Sequence, residues 1–266
     1  MCLASIFGLF IGLILGLTGA GGGILAVPAL VLGLGWTMTQ AAPVALMAVG
    51  ASAAVGAIDG LRKGLVRYRA ALLMAVLGGA GTPLGLYVAH RLPQTLLMSL
   101  FSLVLVLVAI RMHRQSRGAV GAGAEHDWER KNCMLDPGTG RLRWTLRCSL
   151  TLATVGACCG LLTGLLGVGG GFLLVPAFRQ LTDIRLHGIV ATSLMVIALV
   201  SAMAIFGALR AGIVIPATGV AFIGASVLGM VAGRLWAPHV PARGLQEGFA
   251  GLCVAVAGYL LWKVWG

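Results

Sequence analysis

Acidic side chains are nearly missing from this chain. Seven Asp and Glu stand among 266 residues, and charged residues of both signs make up only 10%. Four of the acids, Glu125, Asp127, Glu129 and Asp136, share one polar stretch, while Asp59 sits at the end of an apolar run and none lies deep inside one. A relay of buried carboxylates carrying protons or sodium through a membrane therefore has little to work with. Catalytic signatures are missing too: there is no H-E-x-x-H, G-x-S-x-G or C-x-x-C, which leaves an intramembrane enzyme without candidate machinery. The six cysteines show no metal-ligand spacing, and most lie in or beside apolar runs. They read as small packing residues rather than disulfides or metal ligands. No cofactor and no metal site is expected.

Apolar residues fill the chain instead. It is 59% hydrophobic with a mean hydropathy of +1.01, in runs at 3–17, 40–58, 70–89, 95–110, 148–166, 189–209, 213–233 and 248–262. A bilayer core of about 30 Å needs about 20 residues of helix, and most of these runs come close. Strands of alternating polarity are absent, which argues against a membrane β-barrel. The expectation is an all-α, polytopic membrane protein, and its 41 glycines suit helices that approach closely in lipid. The net charge of +12 is gathered in short loops, as in cytoplasmic loops of membrane proteins, so nucleic acid is not an expected partner. Residues 3–17 lack a positive leading region and have a mid-chain counterpart at 148–166, so they read as structure, not as a cleaved signal.

The chain repeats itself. GLTGAGGGILAVPAL at 16–30 returns as GLLGVGGGFLLVPAF at 164–178, an offset of 148 residues. The same offset carries Leu61, Arg62 and Gly64 onto Leu209, Arg210 and Gly212, and Gly81, Gly85 and Pro93 onto Gly229, Gly233 and Pro241. Two membrane repeats, 1–111 and 148–266, are thus joined by a polar linker, 112–147. Each repeat holds a glycine-interrupted segment followed by three spans. The pieces 3–18 and 24–34 would make helices of about 24 and 16 Å, which fits a re-entrant pair, with a single broken or tilted helix as the alternative. With re-entrant segments the second repeat is inverted, and sixteen Lys and Arg lie inside against three outside; parallel repeats split them fourteen to five. The positive-inside rule prefers inversion, with the linker cytoplasmic. His90, His187 and His239 fall at span ends and read as interfacial.

Each glycine costs a helix about 1 kcal/mol relative to alanine, so a triple glycine placed twice needs a reason. Irregular backbone survives in lipid only where it lines a cavity or is buried in protein. Inverted-repeat transporters aim the N-termini of broken helices at anionic substrates. Gly21, Gly22, Gly23 and Gly169, Gly170, Gly171 each open a short apolar segment, with a proline read as lying near its first turn, where free N–H groups and the helix dipole favour an anion. Two such ends would form one backbone-built anion site. Helix packing is the competing use of these glycines. The G-x-G openings are not nucleotide loops: Ile24 and Phe172 take the sixth place, with no preceding strand.

These paired segments, with ATSL at 191–194 and the LRKG and LRAG turns, resemble the TauE/SafE family of sulfite exporters over both halves. The resemblance implies a secondary permease for sulfite, sulfonates or related organosulfur anions in the cell inner membrane. It adds Thr192 and Ser193 as substrate-binding candidates. The first half carries TQAAPVAL at 39–46 in their place, so Thr82 is the candidate that could compensate, though a mid-span threonine more often bonds its own helix backbone. The expected partners are the bilayer, a small anion and, as an open option, further copies of the chain. The alternatives are a membrane scaffold or assembly subunit and an intramembrane enzyme.

Overall fold

The computed structural model describes residues 2–19, 22–118, 133, 145–182, 186–210, 216–237 and 242–265. Gly21 and nearly all of the linker beyond Gly118 lie outside the described residues. Among the described residues ten helices follow one another: α1 (Cys2–Thr18), α2 (Gly23–Gly33), α3 (Met38–Arg62), α4 (Tyr68–Arg91), α5 (Gln94–Gly118), α6 (Leu146–Leu166), α7 (Gly171–Leu181), α8 (Leu186–Arg210), α9 (Ala217–Trp236) and α10 (Ala242–Trp265). Among the described residues there is no strand, only a single bridge between Cys133 and Thr182. Five helices among the described residues, α3, α4, α6, α8 and α9, are long and apolar enough to cross a membrane. The first piece of the second interrupted segment is one of them, with 21 residues, and so is longer than expected.

Local chemistry sets the helix ends. Thr37 and Gln40 form a capping box at the start of α3, and the Thr145 hydroxyl accepts from the Cys148 amide at the start of α6, each satisfying free N–H groups. Pro28 and Pro176 stand at the sixth residue of α2 and α7, deeper than the first-turn position expected. There each removes the N–H that would have bonded the carbonyl four residues back, that of Ile24 or Phe172. The prolines therefore loosen the backbone beside the glycine breaks.

Packing follows the repeat. Gly8, Gly12 and Gly16 on α1 lie against the backbone of Phe222, Ser226 and Met230 on α9, so close that any added Cβ would collide. Gly156, Gly160 and Gly164 on α6 meet Met74, Gly78 and Thr82 on α4 in the same way. Glycines four residues apart share one helix face, and each three-glycine stripe lets two backbones touch, the usual adhesive of helices in lipid. Each of these helices thus docks on the other half of the chain, with α1 parallel to α9 and α6 parallel to α4. At the centre α3 and α8 cross in opposite directions: Gly50 meets Ser201, Gly56 meets Leu194 and Gly60 meets Ala191. Leu72, Leu84, Leu103, Val220, Leu228 and Trp262 remain exposed, an apolar outer face that suits lipid.

One reading of the cysteines is corrected. Cys133 and Cys148 form a disulfide with Cα atoms 5.0 Å apart, fastening a linker residue to the start of α6. The two lie only 15 residues apart, one in the polar linker and one opening α6, and the pairing depends on how the linker returns to that helix. Cys159 and Cys253 are buried, as packing residues would be.

Candidate functional site

The two glycine breaks meet in the middle of the molecule. A Cβ added to Gly23 would stand 3.0 Å from the Val168 carbonyl oxygen and 3.1 Å from Val49 Cγ1. From the other break, a Cβ on Gly169 would lie 3.2 Å from the same Val49 methyl and 3.5 Å from Ile197 Cγ2. Val49 and Ile197 are equivalent positions of the repeat, midway along α3 and α8, so the breaks converge where the central helices cross. Gly169 and Gly170 have φ of +74° and +62°, a left-handed backbone open chiefly to glycine.

The glycines do not all serve the same end. A Cβ on Gly22 would press into the Leu15 backbone, 2.5 Å from its nitrogen. One on Gly170 would meet the Cys159 sulfur and stand 2.9 Å from Thr163 Oγ1, and the Cys159 thiol already donates to the Gly170 carbonyl at 2.8 Å. Gly22 and Gly170 are therefore required by packing against the preceding helix. Gly23 and Gly169 face the meeting point. Gly171 opens α7 directly behind it.

Thr192 is fully buried, yet its hydroxyl is occupied: it donates to the Gly188 carbonyl at 2.7 Å and accepts from the Arg67 amide at 3.1 Å. It ties the α3–α4 connection to α8. Thr82 donates to its own helix at Gly78, 2.8 Å away. Ser193 differs, since its Oγ is buried with no hydrogen-bond partner among the described residues. So is Ser201, a residue that sequence reading missed. Ser201 Oγ lies 3.8 Å from where a Gly169 Cβ would stand. Ser193, Ile197 and Ser201 recur every four residues, so they form one stripe on α8. The matching stripe of α3 reads Ala45, Val49, Ala53; the polar groups come from one half only. The spacing of Ser193 and Ser201 was the available signal. A buried hydroxyl left unbonded costs about 1–3 kcal/mol, so two on one stripe call for a partner.

A cavity of about 410 Å³ lies between the first turns of α3, the second half of α4, the end of α6 and the last turns of α8. Its wall is mostly apolar, with Thr39, Thr82, Tyr87 and His90 among the polar positions, and it reaches Leu166, next to the second break. His90, expected only as an interfacial residue, thus lines a cavity. Arg91 stacks its guanidinium 4.4 Å from the Tyr87 ring centroid, placing a cation beside a lining residue. At the other end of the α3–α8 crossing, Arg234 Nε donates to Asp59 Oδ2 at 2.8 Å and Lys63 Nζ to the same oxygen at 3.0 Å. Among the described residues no three His, Cys, Asp or Glu gather as a metal site.

Known proteins place this architecture. The family profile described as sulfite exporter TauE/SafE matches residues 4–260. A "Probable membrane transporter protein" of Xylella fastidiosa strain Temecula1 is 29% identical over 258 residues, covering 96% of this chain and 92% of that protein. "Probable membrane transporter protein YunE" of Bacillus subtilis strain 168 is 28% identical over 203 residues, covering 74% of this chain and 73% of its own. No solved structure matches the chain significantly. With a family match over nearly its whole length and a multi-pass set of apolar helices, the chain belongs to the sulfite exporter TauE/SafE family and is a membrane transport protein rather than an enzyme.

Proposed function

We propose that this protein is a secondary permease for small sulfur oxyanions, sulfite or an organosulfonate, seated in the cell inner membrane. The observation that carries the reading is the convergence of both glycine breaks on Val49 beside the unpartnered Ser201 hydroxyl. Backbone amides at helix starts and a buried hydroxyl supply donors without a competing carboxylate, which suits an anion with several acceptor oxygens. Gly23, Gly169, Ser193 and Ser201 form the site in this reading, with Gly21 and Gly171 as flanking backbone. Thr82 belongs to the access path, and Thr192, Gly22 and Gly170 hold the frame. Arg91 at the cavity draws anions toward it.

The repeats 1–111 and 148–266 are inverted in this proposal, with the linker 112–147 cytoplasmic. Parallel repeats, with each interrupted segment crossing the membrane, would send α3 and α8 the same way; their opposed course along Gly50–Ser201, Gly56–Leu194 and Gly60–Ala191 favours inversion. Re-entrant α1–α2 and α6–α7 pairs fit the same geometry. Inverted repeats are the common construction of secondary transporters with broken helices.

Purified protein in liposomes, loaded with labelled sulfite or a short alkylsulfonate, tests the proposal directly. Saturable flux that empty liposomes lack is expected. Absence of flux with any sulfur oxyanion overturns it and leaves a transporter of some other small solute.

A further inference from the structure

The 148-residue offset relates the cavity to a second region of the molecule. Leu46, Thr82, Leu86, Ala204 and Gly207 line the cavity. Carried across the repeat, these positions become Leu194, Met230, Arg234, Gly56 and Asp59. There the side chains are packed together. A Cβ on Gly56 would stand 2.5 Å from Met230 Cε, 2.8 Å from Leu194 Cδ1 and 2.9 Å from Arg234 Nη1. Gly207, the counterpart of Asp59, has nothing within 4 Å of where its own Cβ would stand. Two halves built on one plan thus differ here: the region at the α8 end is open, and its mirror at the Asp59 end is packed shut.

The closure is made by long side chains that the open side does not have. Met230 replaces Thr82, Arg234 replaces Leu86, and Asp59 replaces Gly207. The Arg234–Asp59 bond at 2.8 Å joins α9 to α3, helices from opposite halves, with side chains 25% and 35% exposed. A charge pair shielded to this degree is screened less than a surface pair. A carrier whose two cavities opened together would be a channel, so closure of one while the other is open is what transport requires.

We propose that Asp59 and Arg234 are the latch of a second access cavity, the mirror image of the first, bounded by Gly56, Leu194, Met230 and Arg234 and opening to the opposite membrane face when the pair separates. The proposal rests on the transport reading but not on the identity of the substrate. Lys63, 61% exposed and one turn from Asp59, contributes little, because exposed pairs at this spacing are weak.

Leu46→Cys and Leu194→Cys place equivalent probes in the open cavity and in its mirror. Each is introduced singly into the full chain in liposomes, and its rate of reaction with a small methanethiosulfonate is read by mass at that position. Leu46→Cys is expected to react at least about tenfold faster than Leu194→Cys. Adding Asp59→Asn or Arg234→Gln should raise the Leu194→Cys rate about tenfold and slow Leu46→Cys, as expected of a population shift. Lys63→Ala should change neither. Unchanged rates in folded Asp59→Asn and Arg234→Gln proteins overturn the latch, and so does failure of both to fold, which assigns the pair to stability alone. Shifted rates without flux of any sulfur oxyanion keep the latch and remove the proposed substrate; flux with unshifted rates removes the latch alone.

Discussion

Ser201 buries a hydroxyl that bonds nothing among the described residues, and this gives the anion site its sharpest test. Replacing a bonded group costs the bond; replacing an unsatisfied one removes a desolvation penalty. Ser201→Ala and Ser193→Ala should therefore leave the melting temperature unchanged or raise it, while weakening substrate affinity about threefold to thirtyfold, roughly 0.5–2 kcal/mol. Thermal melting beside concentration-dependent flux reads both. Unchanged affinity in both variants would remove the hydroxyls from the site. Thr192→Val behaves oppositely: it breaks the bond from the Arg67 amide and should cost about 1–2 kcal/mol of stability, with affinity in the surviving folded protein retained. The two neighbours in the ATSL motif separate into a fastener and a free donor, a distinction their adjacency in sequence conceals.

Among the elements, the broken segments and the glycine stripes make different demands on the same residue. Gly22→Ala drives a methyl into the Leu15 backbone and should reduce the folded yield, whereas Gly23→Ala needs only a few tenths of an ångström from Val49 and Val168. The second variant should fold and transport poorly, because its methyl narrows the gap between the breaks. On the stripes, Gly160→Leu forces α6 away from the Gly78 backbone and should abolish folding. Gly224→Ala, with nothing within 4 Å of its Cβ, should be neutral or gain up to about 1 kcal/mol of helix propensity. Comparing yields in detergent checks all four, with flux in liposomes measured as well for Gly23→Ala. Loss at Gly224 equal to that at Gly160 would mean that bulk anywhere on these helices, not stripe contact, decides the outcome.

For the molecule as a whole, the disulfide and the charge distribution test each other. The linker carries seven of the nineteen basic residues, with Arg111 just before it, and the proposed inversion puts it in the cytoplasm by the positive-inside rule. Cytosolic thiols are kept reduced. Cys133 and Cys148 should therefore be free in growing cells and pair when membranes are isolated in air, a difference that alkylation before and after lysis detects. A bond already present in intact cells would put the linker outside and reverse the assigned orientation. Labelling single cysteines placed in the linker and near Lys263 from each side of the membrane measures the same topology independently, and inversion requires the two to face opposite sides.

Hydropathy alone determined that the chain is helical and membrane-embedded, because lipid offers no partner for backbone N–H and C=O groups and leaves few ways to satisfy them. The repeat was equally legible, since a fixed offset of 148 residues survives from Gly19 to Pro241. The glycine breaks announced themselves by composition, as did the scarcity of membrane carboxylates. Other properties belong only to the tertiary structure: that Gly22 packs while Gly23 faces its counterpart break, that Thr192 is spent on Arg67, that Ser201 finds no partner among the described residues, and that Asp59 finds Arg234 across 175 positions of sequence. Each depends on which helix of the other half lies alongside. Two halves that look alike in sequence acquire different roles only when they pack on one another, because there a methionine and an ion pair close one side while a threonine and a glycine leave the other open.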